Sequence, residues 1–122
     1  MTTPDTLATP GMPDCLFCRI VAGKIPATIV YEDDDVMAIN DVFPRAPFHV
    51  LVVPKKHVER LSDLEDEVLG GQLLQAVRRV TRQGGVAENF RLVLNNGDVA
   101  GQTVPHLHFH VLGGREFAWP PG

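Results

Sequence analysis

His106-Leu107-His108-Phe109-His110-Val111-Leu112 sets three of the chain's five histidines at alternate positions in one short run. Successive side chains of a β-strand point to opposite faces, so as a strand this run puts the three imidazoles on one face. Leu107, Phe109 and Val111 then share the other face, which is apolar enough to cover a core. At a rise of ~3.3 Å per residue, neighbouring imidazoles stand ~6.6 Å apart and the outer pair ~13 Å apart. Imidazole serves as base, nucleophile or metal ligand near neutral pH, so one surface concentrates reactive groups. Burying three histidines without partners would cost several kcal/mol, which points to a functional row. The outer pair is too far apart for all three to bind one tetrahedral metal, although two adjacent members can.

The chain has 122 residues, of which 44% are hydrophobic and 21% charged. That is one domain of ordinary soluble composition, too short for two cores. The formal net charge is −4 and the basic residues never cluster beyond pairs. Sequence-independent nucleic-acid binding needs a basic stripe, so no nucleic-acid partner is expected. No apolar run approaches membrane-spanning length, so no membrane partner is expected either. Residues 1–13 are Thr/Pro-rich, lack the pattern of a secretory signal and read as a disordered tail. Residues 14–122, with a C-terminal tail over 113–122, then form the domain, with a cytoplasmic location expected.

The order of elements predicts an α+β fold. Asp14 is the expected cap of a short helix over 15–22, stopped by Gly23 and Pro26. Strands are expected over 28–31 and 36–39, joined by the acidic turn 32–35, and over 48–53, stopped by Pro54. Ser62 and Glu65 read as a capping box opening a long helix over 62–83. Leu69, Leu73, Ala76, Val77 and Val80 give that helix its buried face. Strands over 91–94 and 105–112 complete a five-stranded, mostly antiparallel sheet with one long and one short helix.

Two further features carry chemistry. The loop 95–103, Asn-Asn-Gly-Asp-Val-Ala-Gly-Gln-Thr, gathers amides, a hydroxyl and glycines that let backbone N–H groups turn toward phosphate oxygens. It lacks the ending of an ATPase P-loop and the fingerprint of a dinucleotide fold. Cys15 and Cys18 have the spacing of a zinc knuckle, with the remaining two ligands to come from elsewhere.

The run 106–112 resembles the His-φ-His-φ-His-φ-φ signature of the histidine-triad (HIT) superfamily, where φ is apolar. Gly101-Gln102-Thr103-Val104 is similar to that family's phosphate loop, and Trp119-Pro120-Pro121-Gly122 is similar to the ending of its Hint branch, the purine nucleoside phosphoramidases. The resemblance spans residues 14–122. It implies a dimerising hydrolase of P–N bonds in AMP and GMP derivatives, with aminoacyl adenylates as a further substrate class, that needs no cofactor for catalysis. His108 would be the nucleophile. Asn95, Gly101, Gln102, Thr103 and His110 would bind phosphate, and Asp41, Phe17, Ile20, Ile39 and Leu51 the nucleoside. Trp119 would wall the leaving group in the partner's active site of a homodimer. Some bacterial members that this chain resembles hold a structural zinc, which here implies Cys15, Cys18, His49 and His106 as ligands. His57 reads as a surface or structural residue. Alternative readings are a non-catalytic nucleotide-binding scaffold and a dinucleoside-polyphosphate hydrolase.

Overall fold

The computed structural model describes residues 12–122. The expected tail 1–13 therefore lies almost wholly outside the described residues. Five strands run in chain order: β1 (Ile29–Glu32), β2 (Val36–Asn40), β3 (Phe48–Pro54), β4 (Phe90–Leu94) and β5 (Phe109–Gly113). They form one sheet in the order β1-β2-β3-β5-β4, and every pairing is antiparallel. Two helices, α1 (Leu16–Val21) and α2 (Glu67–Gln83), complete the α+β architecture.

β3 is central, and all its residues except Phe48 are buried. A strand covered on both faces reads as a continuous apolar run, which His49-Val50-Leu51-Val52-Val53 shows except at its one imidazole. Val50 and Val52 join Val36, Ala38, Phe109 and Val111 in packing with Leu73, Ala76, Val77 and Val80 of α2. Leu51 and Val53 face the other way, into a cluster with Met37, Ile39, Phe17, Ile20 and the two cysteines. The sheet therefore separates a bulk core under α2 from a second layer under α1. Only the second layer carries the reactive side chains.

Several boundaries differ from expectation. The long helix begins at Glu67 and not at Ser62: Asp66 is its N-cap and accepts the Leu69 N–H at 3.1 Å. Residues 61–63 form a separate 3-10 turn. The proposed capping box fails because Ser62 is used elsewhere, its N–H donating to Asn96 Oδ1 at 3.0 Å. Cys15, not Asp14, caps α1, with its sulfur accepting the Cys18 N–H at 3.3 Å. The last strand starts at Phe109, four residues later than expected, and residues 104–106 form a bend. Of the three triad histidines only His110 belongs to the sheet.

Two glycines are set by close approach. A Cβ on Gly84, at the end of α2, would overlap the Phe48 ring, and one on Gly113 would lie 2.9 Å from Val86 Cβ. Both let the turn after α2 close onto the β3–β5 end of the sheet.

Candidate active site and metal centre

Register places the first group of site residues. β3 and β5 pair Leu51 with His110 and His49 with Leu112, so His49 and His110 are diagonal neighbours on the face under α1. Their rings lie 5.2 Å apart between centroids, and His49 Nε2 is 3.0 Å from His110 Nδ1. The backbone N–H of Arg45 donates to His49 Nδ1 at 3.0 Å. Nδ1 thus contributes its lone pair, and in neutral imidazole the proton must sit on Nε2. That Nε2–H points between His110 Nδ1 and Asp41 Oδ2, the latter at 3.3 Å. His110 in turn accepts at Nδ1, which puts its own proton on Nε2.

His108 is held differently. Its Nδ1 is 2.8 Å from the carbonyl oxygen of His106, which can only accept. Nδ1 therefore carries the hydrogen and Nε2 keeps a free lone pair, the protonation state a nucleophile requires. The ring is buried, 5.1 Å from the His110 ring and 5.1 Å from Phe17.

His106 does a third job. It is fully buried, and its Nε2–H donates to the Pro54 carbonyl at 2.9 Å. Its Nδ1 lone pair faces Cys15 Sγ at 3.2 Å and Cys18 Sγ at 3.5 Å. His57 Nδ1 closes the group, 3.2 Å from Cys18 Sγ. The four ligand atoms all lie within 4.8 Å of one another. A tetrahedral zinc with Zn–S ~2.3 Å and Zn–N ~2.1 Å sets neighbouring ligands ~3.5 Å apart, so these spacings fit a closed Cys₂His₂ site. The His106 contact to a backbone carbonyl is the outer hydrogen bond that orients ligating histidines generally. Cysteine and histidine donors suit zinc or another soft divalent ion.

The grouping differs from the ligand set expected from sequence: His57, and not His49, lies with Cys15, Cys18 and His106. His49 is the second residue of β3, whereas His106 bonds to Pro54 at the far end of that strand, ~16 Å away along the chain. The antiparallel β3–β5 pairing brings the start of one strand to the end of the other. His57, just past Pro54, is thereby carried to His106. A C-x-x-C pair lacking two ligands, together with a histidine three residues beyond the strand stop, was the signal available for it.

Asp41, His49 and His110 also lie within 4.8 Å of one another. Because His49 Nε2 bears a hydrogen, it offers no lone pair to a cation, and the trio is a hydrogen-bond chain.

The phosphate-loop residues divide into two kinds. Gln102 is buried and its amide is spent internally: Oε1 accepts the Gly97 N–H at 2.8 Å, while Nε2 donates to the carbonyls of Glu59 at 2.7 Å and Val104 at 3.1 Å. Gln102 thus braces the loop, and the expected direct side-chain contact to phosphate is not prepared in this arrangement. Gly97 and Gly101 have φ of +94° and +98°, backbone that L side chains rarely adopt. Gly101 lies beside the Asn95 amide, and Thr103 is exposed.

Phe17, Ile20, Ile39 and Leu51 gather in the layer under α1. Asp41 Oδ1 accepts the Phe43 N–H at 2.8 Å, and Val42 and Phe43 project outward. Trp119 is 82% exposed. Its tail is tied down by Arg91, which donates to the Ala118 carbonyl at 2.8 Å, and by Arg91 and Arg115 over the Phe117 ring.

Burial sets the electrostatics. Desolvation lowers His106 and His110 to about 4, aided by neighbouring histidines in both cases. Burial likewise lowers His49 and His57, against the pull of Asp41 on the former and Glu59 on the latter. These four imidazoles are neutral near pH 7, in agreement with the tautomers assigned above. Burial and Cys15 push the Cys18 thiol up to about 11, partly opposed by the Met12 backbone. Metal binding must then displace the thiol proton.

Comparisons with known proteins agree with this geometry. A family model described as HIT domain matches residues 22–117. An uncharacterized HIT-like protein of Synechocystis is 52% identical over 111 residues, covering 89% of this chain and 97% of that protein. The crystal structure of a HIT family hydrolase from Legionella pneumophila superposes with a TM-score of 0.86 at 43% identity, covering 89% of this chain and all of that one. A histidine triad protein from Clostridium difficile gives 0.84 at 42% identity, with 88% and 96% covered. Among the described residues no helix is long and apolar enough to cross a membrane. By sequence, fold and the arrangement of its histidines, the chain belongs to the HIT-domain family.

Proposed function

We propose that this protein hydrolyses the P–N bond of purine nucleoside 5′-phosphoramidates, and by the same attack at phosphorus the P–O bond of aminoacyl adenylates, through a nucleotidyl-His108 intermediate. The observation that carries the reading is the Nδ1–H of His108 held on the His106 carbonyl at 2.8 Å, which leaves Nε2 free to attack. The naming of the Legionella relative as a hydrolase supports the reaction class.

In the first step the Nε2 lone pair attacks the α-phosphorus and the P–N bond breaks. The departing nitrogen takes up one proton drawn from solvent, and the attacking water returns one to solvent in the second step; positioned proton delivery is worth roughly 10²–10⁴-fold. In the second step water attacks the phosphorus, the bond to His108 breaks and the nucleoside monophosphate leaves. His110, with its proton on Nε2 by the assignment above, stabilises charge on a non-bridging oxygen together with Asn95, Thr103 and the turned N–H groups of the loop. Asp41 binds the ribose, and Phe17, Ile20, Ile39 and Leu51 form the base pocket.

The Cys15/Cys18/His57/His106 group holds a structural zinc that ties α1 to the sheet. Zinc supplies no chemistry to the phosphoryl transfer in this scheme. Cysteines outside any disulfide suit the reducing cytoplasm. The active unit is a homodimer, for which β4 is available as an edge strand with Phe90 and Leu92 each 37% exposed. The partner's C-terminal tail, with Trp119, then walls the leaving group.

The test is rapid-quench turnover of adenosine 5′-phosphoramidate by the wild type and by His108→Ala, with intact-mass detection of the adenylylated chain. The expected result is a transient mass increase in the wild type only, and a rate lower by at least about 10³-fold in the variant. Equal turnover by both proteins discards the scheme.

A further inference from the structure

His106 belongs to two sites at once. Its imidazole Nδ1 faces both cysteine sulfurs, and its backbone carbonyl holds the Nδ1–H of His108. That carbonyl sits next to the bend 104–106, outside any strand ladder. What fixes it is local: the ring anchored on Pro54, the His106 N–H on the Val104 carbonyl at 2.8 Å, and the Leu107 N–H on the Val58 carbonyl at 2.7 Å. A second link runs through α1. Phe17 lies in the chain between the two cysteines and packs edge-on to His106 at 5.6 Å and against His108 at 5.1 Å.

We propose that the Cys15/Cys18/His57/His106 cluster is the positioning device of the nucleophile: filling it with a divalent metal immobilises His106 and Phe17, and through them locks His108 in its Nδ1–H tautomer. Without the metal, His106 Nδ1 has only the cysteine sulfurs at 3.2 and 3.5 Å as partners, and a sulfur contact of that kind holds the ring less firmly than a metal–nitrogen bond. The carbonyl two bonds from that side chain's Cβ gains freedom, and with it the imidazole it orients. His106 and Phe17 are positioning residues here, acting only through His108. The proposal rests on His108 being the reactive group, and thus deepens the reading above by naming the regulation of the same site.

Coupling between two sites is reciprocal, so a ligand that immobilises His108 must tighten metal binding by the factor by which metal tightens the ligand. This permits a test without turnover. Zinc affinity of the full chain is measured by competition with a chromophoric chelator, with and without saturating AMP. The expected result is a Kd lower by about fivefold or more with AMP, the lower end of ordinary coupling strengths. Alongside it, nitrogen-15 NMR of the His108 imidazole compares zinc-loaded and chelator-stripped protein without any nucleotide. Loaded protein is expected to show one tautomer with a slowly exchanging Nδ1–H, and stripped protein an averaged or exchange-broadened signal.

Unchanged His108 resonances on stripping, in protein that keeps its far-UV circular dichroism, overturn the proposal. Global unfolding on stripping also overturns it, because the metal would then hold the whole fold and not one residue. Two variants separate the links. Phe17→Leu is expected to keep its zinc while the His108 proton exchanges faster; an unchanged exchange rate removes the Phe17 link. His57→Cys keeps four soft ligands and is expected to retain both zinc and the locked His108 signal. Absence of phosphoramidate turnover combined with a metal-dependent His108 signal would refute the proposed reaction and leave this coupling standing.

Discussion

The imidazole of His49 hands its Nε2 hydrogen toward His110 Nδ1 across 3.0 Å, with Asp41 Oδ2 at 3.3 Å from the same nitrogen. The tautomer of His110 is therefore imposed from outside the triad. His49 needs the Arg45 N–H on its other nitrogen to do so, which makes the loop 41–47 part of the site's wiring.

Replacing His49 by Ala removes the donor that keeps the proton of His110 on Nε2. The expected effect is a fall in kcat of about 10–100-fold with KM changed little, since the lost interaction acts on charge developing at phosphorus. His49→Gln, which can still present an N–H toward His110, should recover part of the rate. Steady-state kinetics of both variants checks this.

Acid should destabilise the metal-free protein in a defined window. His106 and His110 are lowered to about 4 by burial, against an ordinary value of 6.5. Below pH 6.5 the unfolded chain binds protons that the folded chain refuses, so stability falls as pH drops. The contribution is fully present above 6.5 and is lost progressively toward pH 4. For His106 alone it is on the order of 3 kcal/mol. Urea midpoints between pH 7.5 and 4.5 should follow this trend, and the His106→Asn variant should show a shallower one.

Gly84→Ala should destabilise the fold by about 1–3 kcal/mol, the usual cost of overpacking a filled site. Its φ of −83° is accessible to alanine, so the effect is steric and falls on the Phe48 ring. Phe48→Leu in the same chain should recover part of the loss. Chemical denaturation of the single and double variants measures the coupling.

Truncation after Ala118 removes Trp119 but keeps the Arg91 and Arg115 contacts to the tail. Because Trp119 is largely exposed, Tm should stay within about 2 °C, as expected for a surface residue. Turnover of phosphoramidates with bulky amines should fall more than that of the unsubstituted amide. Uniform loss across amines would remove Trp119 as a leaving-group wall.

Much of the architecture is legible in local patterns. The apolar face of α2 follows from Leu69, Leu73, Ala76, Val77 and Val80 at helical spacing, and all five are buried. All five strands are visible as β-rich runs, because apolar β-formers and the turn residues that stop them, such as the acidic turn 32–35 and Pro54, act within a few residues. Boundaries were less legible. Ser62 has the composition of a helix cap, yet its N–H is claimed by Asn96, 34 residues away in sequence. The strand expected from 105 begins at 109, because the region before it bends so that His106 can reach Pro54 and the cysteines.

By itself the sequence determined which residues are candidates for the chemistry: three alternating histidines, a glycine-containing polar loop and a C-x-x-C pair are facts of composition and spacing. Tertiary structure alone decided how those residues are shared out. The antiparallel β3–β5 register sends His57 to the cysteines, where the resemblance implied His49, and sends His49 to His110. It also assigns each imidazole its tautomer, since a histidine's proton is placed by whichever partner meets its other nitrogen. Those partners, the carbonyls of Pro54 and His106 and the N–H of Arg45, are backbone groups whose positions no side-chain pattern records.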